Sequence, residues 1–173
     1  MIKSININSL LQAKKTLKVE IFKEFLGFYE IDIKPSEIED LNVLVEVLSE
    51  FGNDAKAFDR FFVGYTIPQI GKEFDLLRFG PKFTISLEIK SESTEELIKK
   101  QLLRNKYYLG FLGKKVAAFS FISKSKDLYL LNDNNDLLKI DPKNLYEFLI
   151  KEEIDESASP NSLFNPTDYL VSP

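Results

Sequence analysis

Glu73-Phe74-Asp75-Leu76-Leu77 and, beyond a Gly80-Pro81 turn, Phe83-Thr84-Ile85-Ser86-Leu87-Glu88-Ile89-Lys90 read as two consecutive β-strands. Their side chains alternate with period two, the spacing that sends successive residues to opposite faces of a sheet. Gly-Pro between two such runs is a turn signal. In the second run Phe83, Ile85, Leu87 and Ile89 fall on one face and Thr84, Ser86, Glu88 and Lys90 on the other. In the first, Glu73, Asp75 and Leu77 share a face. Twelve residues separate Asp75 from Glu88, and pairing the two runs as a hairpin brings these carboxylates side by side with Lys90 on the same polar face.

The neighbouring segments extend this pattern. Residues 61–67, ending at Pro68, form a third strand-like run, so 61–67, 72–79 and 82–90 read as three successive strands. Upstream, the first thirty residues read as helix, with Asn8 or Ser9 as cap and Leu10, Leu11, Leu17, Ile21, Phe25 and Phe28 at roughly helical spacing until Gly27. Ser36-Glu37-Ile38-Glu39 has the form of a capping box. The helix it opens carries Ile38, Leu41, Leu44, Val45, Leu48 and Phe51 on its inner face and stops at Gly52-Asn53. Downstream, Ser93-Thr94-Glu95-Glu96 opens a helix to about residue 109, followed by a strand at 116–123, a hairpin from 127–131 and 137–140, and a closing helix at 142–150. The expected fold is α/β with a mixed central sheet. Its order is helix-strand-strand-strand-helix-strand, with an N-terminal helical extension over 1–35 and the core over 36–151. Residues 152–173, acidic and then rich in Ser, Asn and Pro, read as a linker or tail toward a possible downstream module.

Composition narrows the chemistry. With 173 residues, 44% apolar, the chain fits one domain with a substantial core. It has no cysteine and no histidine. That excludes disulfides, Cys or His zinc sites, Ser-His-Asp triads and histidine general bases within the chain. Catalysis must then run on carboxylates, lysine, tyrosine or a bound metal. No apolar run reaches the length that spans a bilayer, and the N-terminus lacks a signal-peptide block, so the chain reads as cytoplasmic with no membrane partner. A net charge of −4 and a pI near 5.1 argue against a generally basic coat and leave room for a local basic strip. Oligomeric state has no signal in the sequence.

Two carboxylates and an ammonium suit a hard divalent cation beside a phosphodiester. Magnesium takes oxygen ligands and keeps several waters, so one or two carboxylates, a backbone carbonyl and a substrate phosphate complete its shell. Asp75 and Glu88 are the candidate carboxylates and the Ile89 carbonyl the candidate third ligand for Mg2+ or Mn2+. Lys90 is then placed to hold or activate the attacking water and to neutralise charge on the phosphate. In the following helix Leu97, Gln101, Arg104 and Tyr108 fall on one stripe, with Lys99, Lys100 and Lys106 nearby. Gln101 joins the catalytic candidates, and Lys100, Arg104, Lys106 and Tyr108 are candidate nucleic-acid contacts. Bland readings stand beside these. Glu-x-Lys on a solvated strand is an ordinary ion pair worth ~0.2–1 kcal/mol, helix lysines are often just a wet face, and Tyr107 with Tyr108 suits a core.

These residues resemble the PD-(D/E)XK nuclease superfamily, in particular its helicase-associated or nuclease-related N-terminal domains. Asp75 matches the aspartate of its second strand, Glu88 and Lys90 its Glu-x-Lys, and Gln101 a glutamine that some branches carry on the next helix; the resemblance covers about residues 36–124. It implies a restriction-endonuclease-like core that binds magnesium or manganese through the acidic pair and cleaves phosphodiester bonds, of DNA rather than RNA, often as part of a larger ATPase- or helicase-type protein. The chain departs from the pattern at Phe74, where proline is usual, and at Asn105, where a tyrosine usually follows the glutamine by four residues. Many members add a glutamate from the first core helix, for which Glu46 and Glu50 are the candidates. A catalytically inactive nucleic-acid-binding module with the same fold is the alternative.

Overall fold

A computed structural model describes residues 1–170. The elements are α1 (Ile7–Thr16), α2 (Val19–Tyr29), α3 (Pro35–Ser49), a 3-10 turn at Ala55–Ala57, β1 (Phe62–Thr66), β2 (Glu73–Phe79), β3 (Phe83–Lys90), α4 (Glu95–Gly110), β4 (Lys115–Ile122), β5 (Asp127–Leu131), β6 (Leu137–Ile140), α5 (Pro142–Lys151) and two short helices, α6 (Pro160–Leu163) and α7 (Thr167–Leu170). The six strands form one sheet in sequential order. All neighbours are antiparallel except β3 and β4, which run parallel across the α4 crossover. The expected α/β architecture with a mixed sheet and leading helices is therefore present.

One face of the sheet packs under α1, α2, α3 and α5, with Ile85, Leu87 and Ile89 of β3 against Leu41, Leu44 and Leu48 of α3 in a single apolar cluster. The other face is covered by α4 and the C-terminal segment. Ile98 and Leu102 of α4 pack on Ala118, Ile122 and Tyr129, while Phe164 joins Phe62, Phe74, Phe79 and Leu109. Residues 152–170 are thus not a free linker: Phe164 is buried, the Asp155 amide donates to the Phe79 carbonyl at 2.8 Å, and the Tyr169 hydroxyl donates to the Tyr108 carbonyl at 2.8 Å. Composition alone hides this, because two aromatic anchors in a polar segment suffice to dock it.

Helix boundaries differ from expectation where capping chemistry had several candidates. The N-terminal helix is two helices. Asn6, not Asn8 or Ser9, caps α1 by accepting the Asn8 amide, and Leu17 turns extended before α2 begins. Phe22 is the α2 residue that is buried, whereas Ile21 and Phe28 are exposed. Pro35 opens α3 because its missing N–H costs nothing at the first helical position, and the Glu37 carboxylate reaches back to accept the Lys34 amide at 3.0 Å. The reciprocal partner is Glu37 rather than Glu39. Likewise Thr94, not Ser93, caps α4 by accepting the Leu97 amide at 3.3 Å.

Two features hold the site's frame. Gly64 has φ +66, and a Cβ there would run into the carbonyl of Asp32. Only glycine lets the chain before α3 close against β1. At the other end of β2, Arg78 is 1% exposed and its guanidinium donates to the carbonyls of Lys56 at 2.6 Å and Leu149 at 2.5 Å, with its face over Phe61. Burial lowers its pKa to about 10, so it remains a cation at neutral pH. This buried cation fastens the 3-10 turn and α5 to the sheet.

Candidate active site

The β2–β3 register runs Leu77 opposite Ser86 and Leu76 opposite Leu87. One further step sets Asp75 against Glu88, and the hydrogen bonds match it. The Asp75 amide donates to Glu88 Oε2 at 3.1 Å, and the Ile89 amide donates to Asp75 Oδ2 at 2.9 Å. A slip of one residue would have sent the carboxylates to opposite faces; the structure brings them together. Glu88 is 1% exposed, because the polar face of β3 is roofed by α4 instead of meeting solvent. The solvated-ion-pair reading therefore does not describe it.

Beyond this pair an open cleft of about 440 Å³ lies between α3, the end of β3 and α4, lined by six carboxylates, Asp32, Glu37, Asp40, Glu73, Asp75 and Glu88, but only two lysines, Lys34 and Lys90. Gln101 also faces it. Carboxylate oxygens of Glu37, Glu73 and Asp75 come within 4.8 Å of one another. Such crowding opposes ionisation. Burial first, then the charge of Glu88 and a hydrogen bond to it, pushes the Asp75 carboxyl up to about 8, while the Ile89 amide and Lys90 act in the opposite direction. A carboxyl raised this far is largely protonated at neutral pH when no cation is present. Glu73 is raised by burial and by Asp32, Asp75 and Glu37. Lys72 is lowered by burial, with Arg104 pushing the same way, although Glu88, Asp75 and Glu73 pull it up.

The oxygens in this cleft are hard donors of the type magnesium and manganese take, and the raised proton affinity of Asp75 and Glu73 is what a dication would relieve. No family model, curated protein or solved structure matches the chain.

The structure brings five of the expected residues together. Asp75, Glu88, Ile89, Lys90 and Gln101 line one cleft. Lys100 and Arg104 are exposed on α4. Two nucleic-acid candidates sit elsewhere. Lys106 Nζ donates to Asn135 Oδ1 at 2.6 Å in the β5–β6 turn, and Tyr108 packs edge-on against Tyr107 and at a tilt against Tyr169 of the C-terminal segment. The α4 stripe that faces the sheet is Ile98, Leu102, Asn105 and Leu109, one position beyond the expected stripe, whose Leu97 is instead 58% exposed. Glu46 and Glu50 are corrected too: both border a separate groove between α1 and α3. The α3 residues at the site are Glu37 and Asp40, on the helix's first turns, and Asp40 ties the strand ends together by accepting the hydroxyls of Ser91 and Ser123 at 2.6–2.9 Å. Glu37 carried a legible signal in its spacing three residues from Lys34-Pro35.

Proposed function

We propose that the chain is a metal-dependent nuclease domain of PD-(D/E)XK type that hydrolyses phosphodiester bonds of DNA. The observation that carries this reading is the Asp75–Glu88 juxtaposition at the floor of a cleft that Lys90 and Gln101 also line. Asp75 and Glu88 would hold Mg2+ or Mn2+, with Glu37 and Glu73 extending the oxygen set. The ion would supply charge neutralisation for the phosphate and acidity for the attacking water, in a chain that has no histidine to act as base. Lys90 brings an ammonium to the phosphoryl oxygens, where negative charge grows in the transition state. Gln101 orients water or phosphate through its amide. Lys72, Lys100 and Arg104 bind flanking phosphates at the rim, the part of the task that a chain of net charge −4 must perform locally.

Cleavage of supercoiled plasmid and single-stranded DNA with magnesium or manganese tests the reading, with Asp75→Asn and Lys90→Ala alongside. Metal-dependent cutting by the wild-type chain and loss in both variants is the expected result; equal background in all three refutes it. A second reading, a nucleic-acid-binding module without catalysis, draws on the depth of Glu88 and on Asn105 in place of tyrosine. It requires salt-sensitive, metal-independent binding and no cutting. Association with an ATPase or helicase engine is a further part of the proposal, tested by looking for a Gly-x-x-x-x-Gly-Lys-Ser/Thr segment in the same reading frame after Pro173.

A further inference from the structure

We propose that Asn105 is a positioning residue for Glu88: its buried side-chain amide clamps one carboxylate oxygen so that the other stays beside Asp75, giving the cation a ready-made pair of ligands. The inference rests on the metal-site reading above and adds a residue to it. Asn105 is 0% exposed, on the inner stripe of α4 among Ile98, Leu102 and Leu109. Its Nδ2 donates to Glu88 Oε1 at 2.8 Å and to Ser86 Oγ at 3.1 Å, so both amide hydrogens are engaged on β3. Glu88 Oε2 is left for the Asp75 amide.

The other half of the amide shows what this arrangement is for. Asn105 Oδ1 is buried without a hydrogen-bond partner among the described residues. Buried polar atoms are nearly always paired, and an exception calls for a reason. Flipping the amide would turn its carbonyl oxygen toward a carboxylate, so the orphaned acceptor is the consequence of aiming the NH2 group at Glu88. A leucine at 105 would continue the apolar stripe without an orphan. An amide that breaks the helix's inner pattern and leaves its own oxygen unpaired is placed for Glu88, not for packing. Groups that orient metal ligands from behind typically change metal affinity or activity by about 10–100-fold when removed.

The test compares wild type, Asn105→Leu and Ser120→Ala, the last removing a buried hydroxyl that has no partner on the strand beside Glu88. Mn2+ dissociation constants from electron paramagnetic resonance, with folding checked by circular dichroism, are the primary readout. Asn105→Leu is expected to bind Mn2+ about 10–100-fold more weakly, Ser120→Ala within about twofold, and cleavage by Asn105→Leu to recover at saturating Mn2+, shifting the metal requirement more than the turnover. Unchanged Mn2+ binding in Asn105→Leu, or an equal loss in Ser120→Ala, overturns the inference while leaving the nuclease reading intact. Should the leucine variant not fold, Mg2+ titration of the wild-type chain decides: the Asn105 side-chain NH2 resonances must move on saturation, and their indifference overturns the inference. A wild-type chain that binds neither ion overturns both readings together.

Discussion

Replacing Asp75 by asparagine is expected to stabilise the metal-free protein at neutral and alkaline pH. The carboxyl is raised from an ordinary 3.8 to about 8, by burial first and by Glu88 second. A folded-state pKa above the unfolded one means that the native state holds the proton more tightly; stability is complete below about pH 4 and is lost as pH rises toward 8. At about 1.4 kcal/mol per unit, the loss reaches roughly 4 kcal/mol at pH 7 as an upper figure. Asparagine keeps an oxygen for the Ile89 amide and turns an NH2 group toward Glu88, removing both the repulsion and the buried charge. Urea unfolding of both proteins in chelator from pH 5 to 8 gives the difference in stability directly. It is expected to widen in favour of Asp75→Asn by up to about 1.4 kcal/mol per pH unit below pH 8. A difference that stays flat across this range, or a variant less stable at pH 8, refutes the picture of a buried Asp75 carboxyl crowded by Glu88.

Three other perturbations probe the frame and the rim. Gly64→Ala forces a left-handed backbone conformation on alanine and drives its Cβ into the Asp32 carbonyl; a loss of about 2 kcal/mol or more is expected in thermal unfolding, with weaker Mn2+ binding because the chain leading to Glu37 moves away. Arg78→Met strips the carbonyls of Lys56 and Leu149 of their buried donor and is expected to lower stability by about 2–4 kcal/mol in urea. Lys100→Ala and Arg104→Ala, if these side chains meet phosphate, each reduce the slope of log affinity against log salt for DNA by about one; slopes equal to wild type remove them from the interface.

The sheet was legible because its strands carry two independent signals, period-two alternation and punctuation by Pro68 and Gly80-Pro81. The strand expectations fall within one residue of β1, β2 and β3 at nearly every end. The Asp75–Glu88 pairing followed from the same alternation and a short turn. What escaped reading depends on tertiary cover. Thr84, Ser86 and Glu88 look like a solvated face until α4 is known to lie on them, and all three are buried. On α4 two adjacent stripes compete, and Asn105, a polar residue at helical spacing with Ile98, Leu102 and Leu109, was the clue to the inner one. In the sequence Glu37 does not stand out from Glu46 and Glu50, because helix position alone does not say which end of α3 meets the strand ends. The chain after residue 151 looked like linker because docking through Phe164 and Tyr169 leaves no periodic trace. Among the described residues no helix is long and apolar enough to cross a membrane.

Titrating the wild-type protein with Mn2+ near pH 8, beside Glu88→Gln and Asp75→Asn, tests the central claim most directly. A tightly held ion in the wild-type chain, lost in both variants while each remains folded, is the result expected of two carboxylates sharing a cation. Absence of binding at millimolar Mn2+, or undiminished binding without the Glu88 carboxylate, contradicts it.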